Sequence, residues 1–197
     1  MESQLQQKRH SAHHAAFFRN WLHDPFQVAS IVPSSRSLAR LMATDLYPGA
    51  RVVELGAGTG TLTQALLDRG VLPKDLYLVE NNDAFASILG MRFPGATIVH
   101  ADAQTLNERL EPLAGTIDYV ISGLPIVWFD RDKKTRILDG TFTLLKRGGA
   151  LHQFTYLGKP PVSKRMMTSL RLQATLLGLT VANFPPAFVY RFTRRNA

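Results

Sequence analysis

The first chemical signal lies in Arg51-Val-Val-Glu-Leu-Gly-Ala-Gly-Thr-Gly-Thr-Leu-Thr63, where Glu54 precedes three alternate glycines, Gly56, Gly58 and Gly60. Glycine lacks a Cβ, so this backbone turns sharply and lets a ligand lie against it. A helix that starts at the last glycine offers N–H groups and a partial positive charge to an anionic group. The elements that must hold the turn are legible on either side. Val52, Val53 and Leu55 read as a short buried strand. Leu62, Ala65, Leu66 and Leu67 continue as a helix. Dinucleotide-binding proteins use a similar turn. The G-x-G-x-G spacing, and an acid two residues ahead of the first glycine, point away from a nicotinamide dinucleotide.

That Glu-Leu-Gly-Ala-Gly-Thr-Gly segment, with Ala57, Thr59 and Thr61 beside its glycines, resembles motif I of the class I S-adenosylmethionine-dependent methyltransferases. The resemblance implies three further stations in chain order. Leu76-Tyr-Leu-Val-Glu80, followed by Asn81, supplies a carboxylate at the end of a second strand, where it accepts hydrogen bonds from both ribose hydroxyls. Thr97-Ile-Val-His-Ala-Asp102-Ala103 supplies an acid beside the adenine. Ile117-Asp-Tyr-Val-Ile-Ser122-Gly123-Leu124-Pro125 supplies the strand and loop that pass over the methyl group. The cofactor set is therefore Glu54, Gly56, Ala57, Gly58, Thr59, Gly60, Thr61, Glu80, Asn81, Asp102, Ala103 and Ser122. The cofactor is S-adenosylmethionine, which leaves as S-adenosylhomocysteine.

The implied fold is α/β: a Rossmann-like, seven-stranded, mostly parallel sheet with helices on both faces. Apolar periodicity predicts strands near 75–80, 96–100, 117–122 and 149–155, and helices near 60–69, 82–92, 104–110 and 131–146. Gly148-Gly149 reads as a helix stop. A helix over 162–177 and a closing antiparallel pair, Leu179–Asn183 with Phe188–Thr193, complete the domain. Ahead of it, residues 3–23 carry Ala12, Ala16, Phe17, Phe18, Trp21 and Leu22 at helical spacing, with Lys8, Arg9 and Arg19 among them. This is an amphipathic helix that packs on its own domain or lies in a membrane interface. The boundaries read as 1–24 for the helix and 25–197 for the catalytic domain.

The chain has 197 residues, 45% hydrophobic and 19% charged, which describes an ordinary globular protein with a proper core. It has no cysteine, so disulfides and thiolate metal sites are excluded. His10, His13, His14 and His23 lack acidic company and read as solvated, so no metal is expected. The net charge of +8 is uneven. From Lys133 onward there are twelve lysines and arginines, and Asp139 is the only acid. Such a half implies an anionic partner, a phospholipid surface or a nucleic acid.

Ser34 and Ser35 suit the N-cap of a helix carrying Leu38, Leu41 and Met42, while Arg36 suits a phosphate or carboxylate. The loop Ser122-Gly-Leu-Pro125, followed by Ile126-Val-Trp128-Phe, lacks the amide side chain and tyrosine with which nucleobase amine methyltransferases grip a planar amine. With Phe17-Phe-Arg-Asn-Trp21-Leu, Ile31-Val-Pro-Ser-Ser-Arg36, Gln153-Phe-Thr-Tyr156 and Pro185-Pro-Ala-Phe-Val-Tyr-Arg191, nearly the whole chain resembles the bacterial phospholipid N-methyltransferases. That resemblance implies methylation of phosphatidylethanolamine towards phosphatidylcholine, membrane binding through the N-terminal helix, and a place at the cytoplasmic face of the cell membrane. An ammonium has no lone pair, so each transfer needs a proton acceptor. The candidates are Tyr156, His152 and Tyr190, or the lipid's own phosphate through water. Tyr156 is preferred because it lies just past the fifth strand, on the ligand side of such sheets. Trp21, Trp128 and Tyr156 suit a cationic product. Ser34, Ser35, Arg36, Gly123, Leu124 and Arg191 complete the expected acceptor site. The competing readings are an RNA adenine N6-dimethyltransferase and a non-catalytic lipid- or RNA-binding module. The oligomeric state is left open.

Overall fold

The computed structural model describes residues 33–183 and 186–195. Its centre is a seven-stranded sheet: β1 (Val52–Leu55), β2 (Leu76–Glu80), β3 (Thr97–His100), β4 (Ile117–Ser122), β5 (Leu145–Thr155), β6 (Leu172–Thr180) and β7 (Ala187–Arg194), in the order β3-β2-β1-β4-β5-β7-β6. The first five strands are parallel. β7 runs antiparallel to β5 and β6 antiparallel to β7. Every residue of β1 and β4 is buried, as expected of central strands covered on both faces.

Helices α1 (Pro33–Met42), α2 (Thr61–Asp68) and α3 (Asp83–Arg92) cover one face, packing Ala39, Met42, Leu66 and Leu89 on Val52, Leu78 and Ile121. The short α4 (Leu106–Arg109), the long α5 (Arg131–Leu144) and α6 (Lys164–Ser169) cover the other. There Leu106, Ile137, Leu138 and Met166 pack on Val53, Val120, Leu151 and Phe192. Truncating one of these fully buried leucines costs about 2–5 kcal/mol. β1 and β4 meet at residues 55 and 122, so both end at the same upper edge. The chain reverses there into the glycine turn and the 123–125 loop, the crevice position for ligands in such sheets.

Three expectations fail, two of them through tertiary pairing. The helix expected over 162–177 stops at Ser169, Arg171 takes a positive φ of 53°, and residues 172–180 form β6. Leu172 pairs with Arg194 and Thr180 with Ala187, so β7 supplies a ladder that outweighs helical spacing in a short apolar run. Gly148-Gly149 is no helix stop. α5 already ends at Leu144, and the two glycines form an irregularity within β5. A Cβ on Gly149 would lie 3.0–3.1 Å from the carbonyl oxygens of Asp118, Lys146 and Ile117. The N-terminal helix, the 1–24 boundary and Trp21 lie outside the described residues. α1 is described from Pro33, so Ser34 and Ser35 fall inside a helix rather than at its N-cap.

Candidate active site at the upper edge of the sheet

All three alternate glycines have positive φ: 71° at Gly56, 56° at Gly58 and 87° at Gly60. Gly60 shows why no other residue fits, since a Cβ there would lie 2.1 Å from the Phe93 ring. The turn is held from outside. Gly56 N–H donates to Val79 O at 2.8 Å. Gly58 N–H donates to Glu80 Oε2 at 2.8 Å, and Asn82 N–H donates to Glu80 Oε1 at 2.8 Å. Each Glu80 oxygen keeps a second lone pair. That is the acceptor pattern a vicinal diol needs.

Glu54 is fully buried beneath the turn. Its Oε2 accepts from the Thr63 hydroxyl at 2.7 Å, which ties β1 to α2. Burial raises its pKa to about 8, with the hydrogen bonds from Thr63 opposing. Its Oε1 is buried without a hydrogen-bond partner. An unpartnered buried carboxyl oxygen beneath a glycine cradle fits a ligand that brings a polar group to meet it. Thr59 lies in the turn, its carbonyl accepting from the Arg92 guanidinium. Thr61 opens α2 and Ala57 is buried against the same core.

At the neighbouring strand end, Ala101 N–H donates to Glu80 O at 3.1 Å, bringing Asp102 and Ala103 beside Glu80 and Asn81. The Asp102 carboxylate accepts from Gln104 N at 2.9 Å and from the Gln104 amide at 3.1 Å, with Lys133 at 3.5 Å. Burial pushes its pKa up, but these contacts outweigh burial and leave it lowered. The Asn81 carbonyl lies 3.1 Å from the His100 ring. Ser122 is fully buried and its Oγ accepts from Leu124 N at 3.3 Å, so its side chain shapes the loop instead of facing a ligand.

The acceptor side is built differently. Gly123 N–H donates to Leu55 O at 2.8 Å, and the buried Gln153 amide donates to Leu124 O at 2.9 Å, fixing the loop from both flanking strands. Leu124 reaches back over the glycine turn, within 2.7 Å of where a Cβ on Gly56 would stand. Beyond the loop, residues 125–128 face 154–157 across a narrow apolar crevice of about 20 Å³ that includes Trp128 and Tyr156. That is room for one water-sized group such as an amine. Trp128 is 40% exposed at this crevice. The Phe154 and Tyr156 rings meet edge to face at 5.5 Å. Burial pushes the Tyr156 phenol pKa up, and a hydrogen bond with Asn183 opposes it.

The other expected acceptor residues are not brought to this crevice. His152 is fully buried, its Nδ1 2.7 Å from Met42 O and its Nε2 3.2 Å from Asp45 Oδ1. Burial lowers its pKa, against the Met42 carbonyl and Asp45. It braces α1 against the sheet and has no open path to a substrate proton. Arg191 pairs with His152 in the β5–β7 ladder and lies 3.6 Å from the same Asp45, three pairs below the upper Thr155–Phe188 pair. Tyr190 is 7% exposed within the core on the α5 side, and burial raises its pKa. Arg36 is exposed near the start of α1. Thr63, Lys134 and Asn183 shape the site without being singled out in the sequence, and Gln153 entered only through the Gln153-Phe-Thr-Tyr156 resemblance. Among the described residues, no three His, Asp or Glu side chains gather as a metal site, and no helix is long and apolar enough to cross a membrane.

Comparison with known proteins agrees with this geometry. Residues 52–149 match the family described as a methyltransferase domain. An ornithine lipid N-methyltransferase of Singulisphaera acidiphila is 30% identical over 169 residues, which covers 83% of this chain and 86% of that protein. Ribosomal RNA small subunit methyltransferase A of Laribacter hongkongensis is 32% identical over 138 residues, 66% of this chain but 48% of that protein. The chain thus spans about half of the latter's length. Two crystal structures share the fold at a TM-score of 0.63. One is a TehB-like S-adenosylmethionine-dependent methyltransferase of Corynebacterium glutamicum, 17% identical over 95% of this chain and 100% of that one. The other is the Burkholderia thailandensis 1,6-didemethyltoxoflavin-N1-methyltransferase with bound S-adenosylhomocysteine, 15% identical over 96% of this chain and 90% of that one.

Proposed function

Because the chain belongs to the class I S-adenosylmethionine-dependent methyltransferases, we propose that its acceptor is the amine of a membrane lipid headgroup, phosphatidylethanolamine and its mono- and dimethyl forms. The observation that carries this reading is the apolar crevice between residues 125–128 and 154–157, closed by a loop without an amide side chain. A nucleobase needs paired polar groups at its edge, and those residues do not offer them. The basic second half of the chain and the lipid-methylating relative support the same direction. The ribosomal RNA relative, matched over less of its own length, favours the RNA reading less.

S-adenosylmethionine, when bound, supplies an electrophilic methyl group on a sulfonium. Glu80 and the glycine turn would hold it, with Glu54 Oε1 beneath. The chain's own task is to bring an amine lone pair to about 3–3.5 Å, in line with the breaking bond. Gly123 and Leu124, fixed by Leu55 O and Gln153, set that approach. Tyr156 has a raised pKa, so it serves as a neutral phenol that orients the amine and not as a phenolate base. The substrate proton leaves to water or to the lipid phosphate before the amine enters. Trp128 and Tyr156 provide aromatic faces for the more cationic products. Membrane attachment at the cytoplasmic face, through the N-terminal segment and the basic residues, belongs to the same proposal.

The test is transfer of labelled methyl groups to vesicles containing phosphatidylethanolamine, to vesicles containing an ornithine lipid, and to RNA, with chromatographic separation of the products. Mono-, di- and trimethylated phosphatidylethanolamine are expected. Label confined to the ornithine lipid would replace the headgroup, and label confined to RNA would overturn the lipid reading.

A further inference from the structure

Behind the turn at residues 126–128 lies a second, larger hollow of about 400 Å³, within the range of small-molecule sites. Arg131, Lys134 and Thr135 of α5 line one side, and Ser163, Arg165 and Ser169 of the α6 segment line the other. It has three cations and no acid among its lining residues.

Like most basic side chains among the described residues, the arginines of this hollow face no acid within salt-bridge distance; three cations elsewhere do. Lys133 is matched with Asp102, Lys146 with Asp118, and Arg191 with Asp45. Among the described residues, Arg131 and Arg165 have no such counter-charge, although each could form a fork with an oxyanion. Lys134 is partly buried and donates one N–H to Val127 O at 3.0 Å, leaving two for the hollow. Burial lowers its pKa, with Asp130 opposing. Asp130 is itself engaged, accepting from Lys133 N at 2.8 Å as the cap of α5, and Asp132 is exposed on the same first turn. Ser163 Oγ accepts from Met166 N at 3.3 Å and keeps its own proton to donate. Thr135 and Ser169 give theirs to the backbone carbonyls of Arg131 and Met166.

We infer that this hollow is a phosphate-ester site beside the acceptor crevice, seating the phosphodiester headgroup of a lipid in the bilayer. Two guanidinium forks and an ammonium, set on two separate elements, suit an anion with several oxygens better than a single carboxylate. The Lys134–Val127 contact joins the hollow to the crevice wall, so a headgroup phosphate there would bring the protein's acceptor mouth down on the membrane. The lipid source rests on the lipid-acceptor reading above.

The experiment measures sedimentation of the full chain with phosphatidylcholine vesicles, with and without phosphatidylglycerol, at fixed salt and without methyl donor. Arg131→Gln with Arg165→Gln is expected to weaken retention about tenfold or more, given about 1 kcal/mol per basic residue at an anionic surface. The control pair Lys74→Gln with Arg109→Gln should change it less than about twofold. Arg131→Lys with Arg165→Lys keeps the charge and loses the forks. A loss of about threefold or more supports a built site, and unchanged retention means only a diffuse field and overturns it. Melting temperature of each variant confirms folding. Tight binding of glycerol phosphate by calorimetry, lost in the Gln pair while vesicle retention persists, would overturn the lipid source. So would a loss confined to an RNA hairpin probe. Because the readout needs no turnover, vesicle binding without lipid methylation would break the acceptor reading while leaving this site standing.

Discussion

The two halves of the upper edge hold their ligands by opposite means. Around β1 and β2 the work is done by main chain and carboxylate: three glycines at positive φ, two amides on Glu80, and a buried Glu54 beneath. Around β4 and β5 the loop is tied by Leu55 O and Gln153, and the crevice is lined by apolar side chains from two separated segments. The first arrangement recognises a ligand whose shape does not vary, so it is rigid and polar. On the proposed lipid acceptor, the second would meet a headgroup that gains methyl groups and loses hydrogen-bond donors, so shape and aromatic faces would matter more there than fixed polar partners.

If that contrast holds, Glu80→Ala should have the largest effect. It removes both diol acceptors and the brace on Gly58, so S-adenosylhomocysteine affinity by calorimetry should fall by about 100-fold or more, at roughly 1.5–3 kcal/mol for each bond to a charged group. Retained affinity would break the assignment of the cofactor half.

Glu54→Gln comes next and shows in stability against pH. The native carboxyl titrates near 8 and the unfolded one near 4.5, so folding favours the protonated form. Its contribution is fully present below 4.5, erodes as pH rises through that window, and is gone above 8. The amide does not ionise, so the melting temperature of the variant should lose less between pH 5 and pH 9 than that of the wild type. A difference of about 8–16 °C is expected, from about 4 kcal/mol of linkage between pH 5 and pH 8 at about 2–4 °C per kcal/mol for a chain of this size. Parallel curves would show that Glu54 is charged in the native state.

On the acceptor half the effects are smaller. Gln153→Ala leaves Leu124 O without this donor, a cost of about 1–3 kcal/mol, and loosens the 123–125 loop. The turnover rate should drop about tenfold while S-adenosylhomocysteine affinity stays within about twofold. Equal losses in both would mean that the two halves are not separable. Tyr156→Phe should lower the turnover rate by only about three- to tenfold and leave the shape of its pH profile unchanged, since a neutral phenol orients without ionising. The disappearance of a titrating limb would restore Tyr156 as the base.

The contrast also explains which parts of the protein could be read early. The glycine turn, Glu80 and the strands at 76–80, 97–100 and 117–122 were visible because their signals are local: a missing Cβ, an acid at a strand end, a short apolar run. His152 and Arg191 were plausible as bare residue types, but the β5–β7 ladder places both against Asp45 on the α1 side. Gln153 looked like one polar residue in a strand until the loop it holds came within 2.9 Å.

The sequence by itself determined the class of fold, the turn that receives the donor and the carboxylate that accompanies it, because these depend on backbone conformations that particular residues impose within a few positions. Only the tertiary structure decided that residues 172–180 are a strand, that Ser122 shapes a loop, that His152 braces a helix, and that the 125–128 and 154–157 segments share one crevice. Each of those outcomes is set by pairing or burial between segments far apart in the chain, where the competing local preferences differ by less than the packing that selects among them.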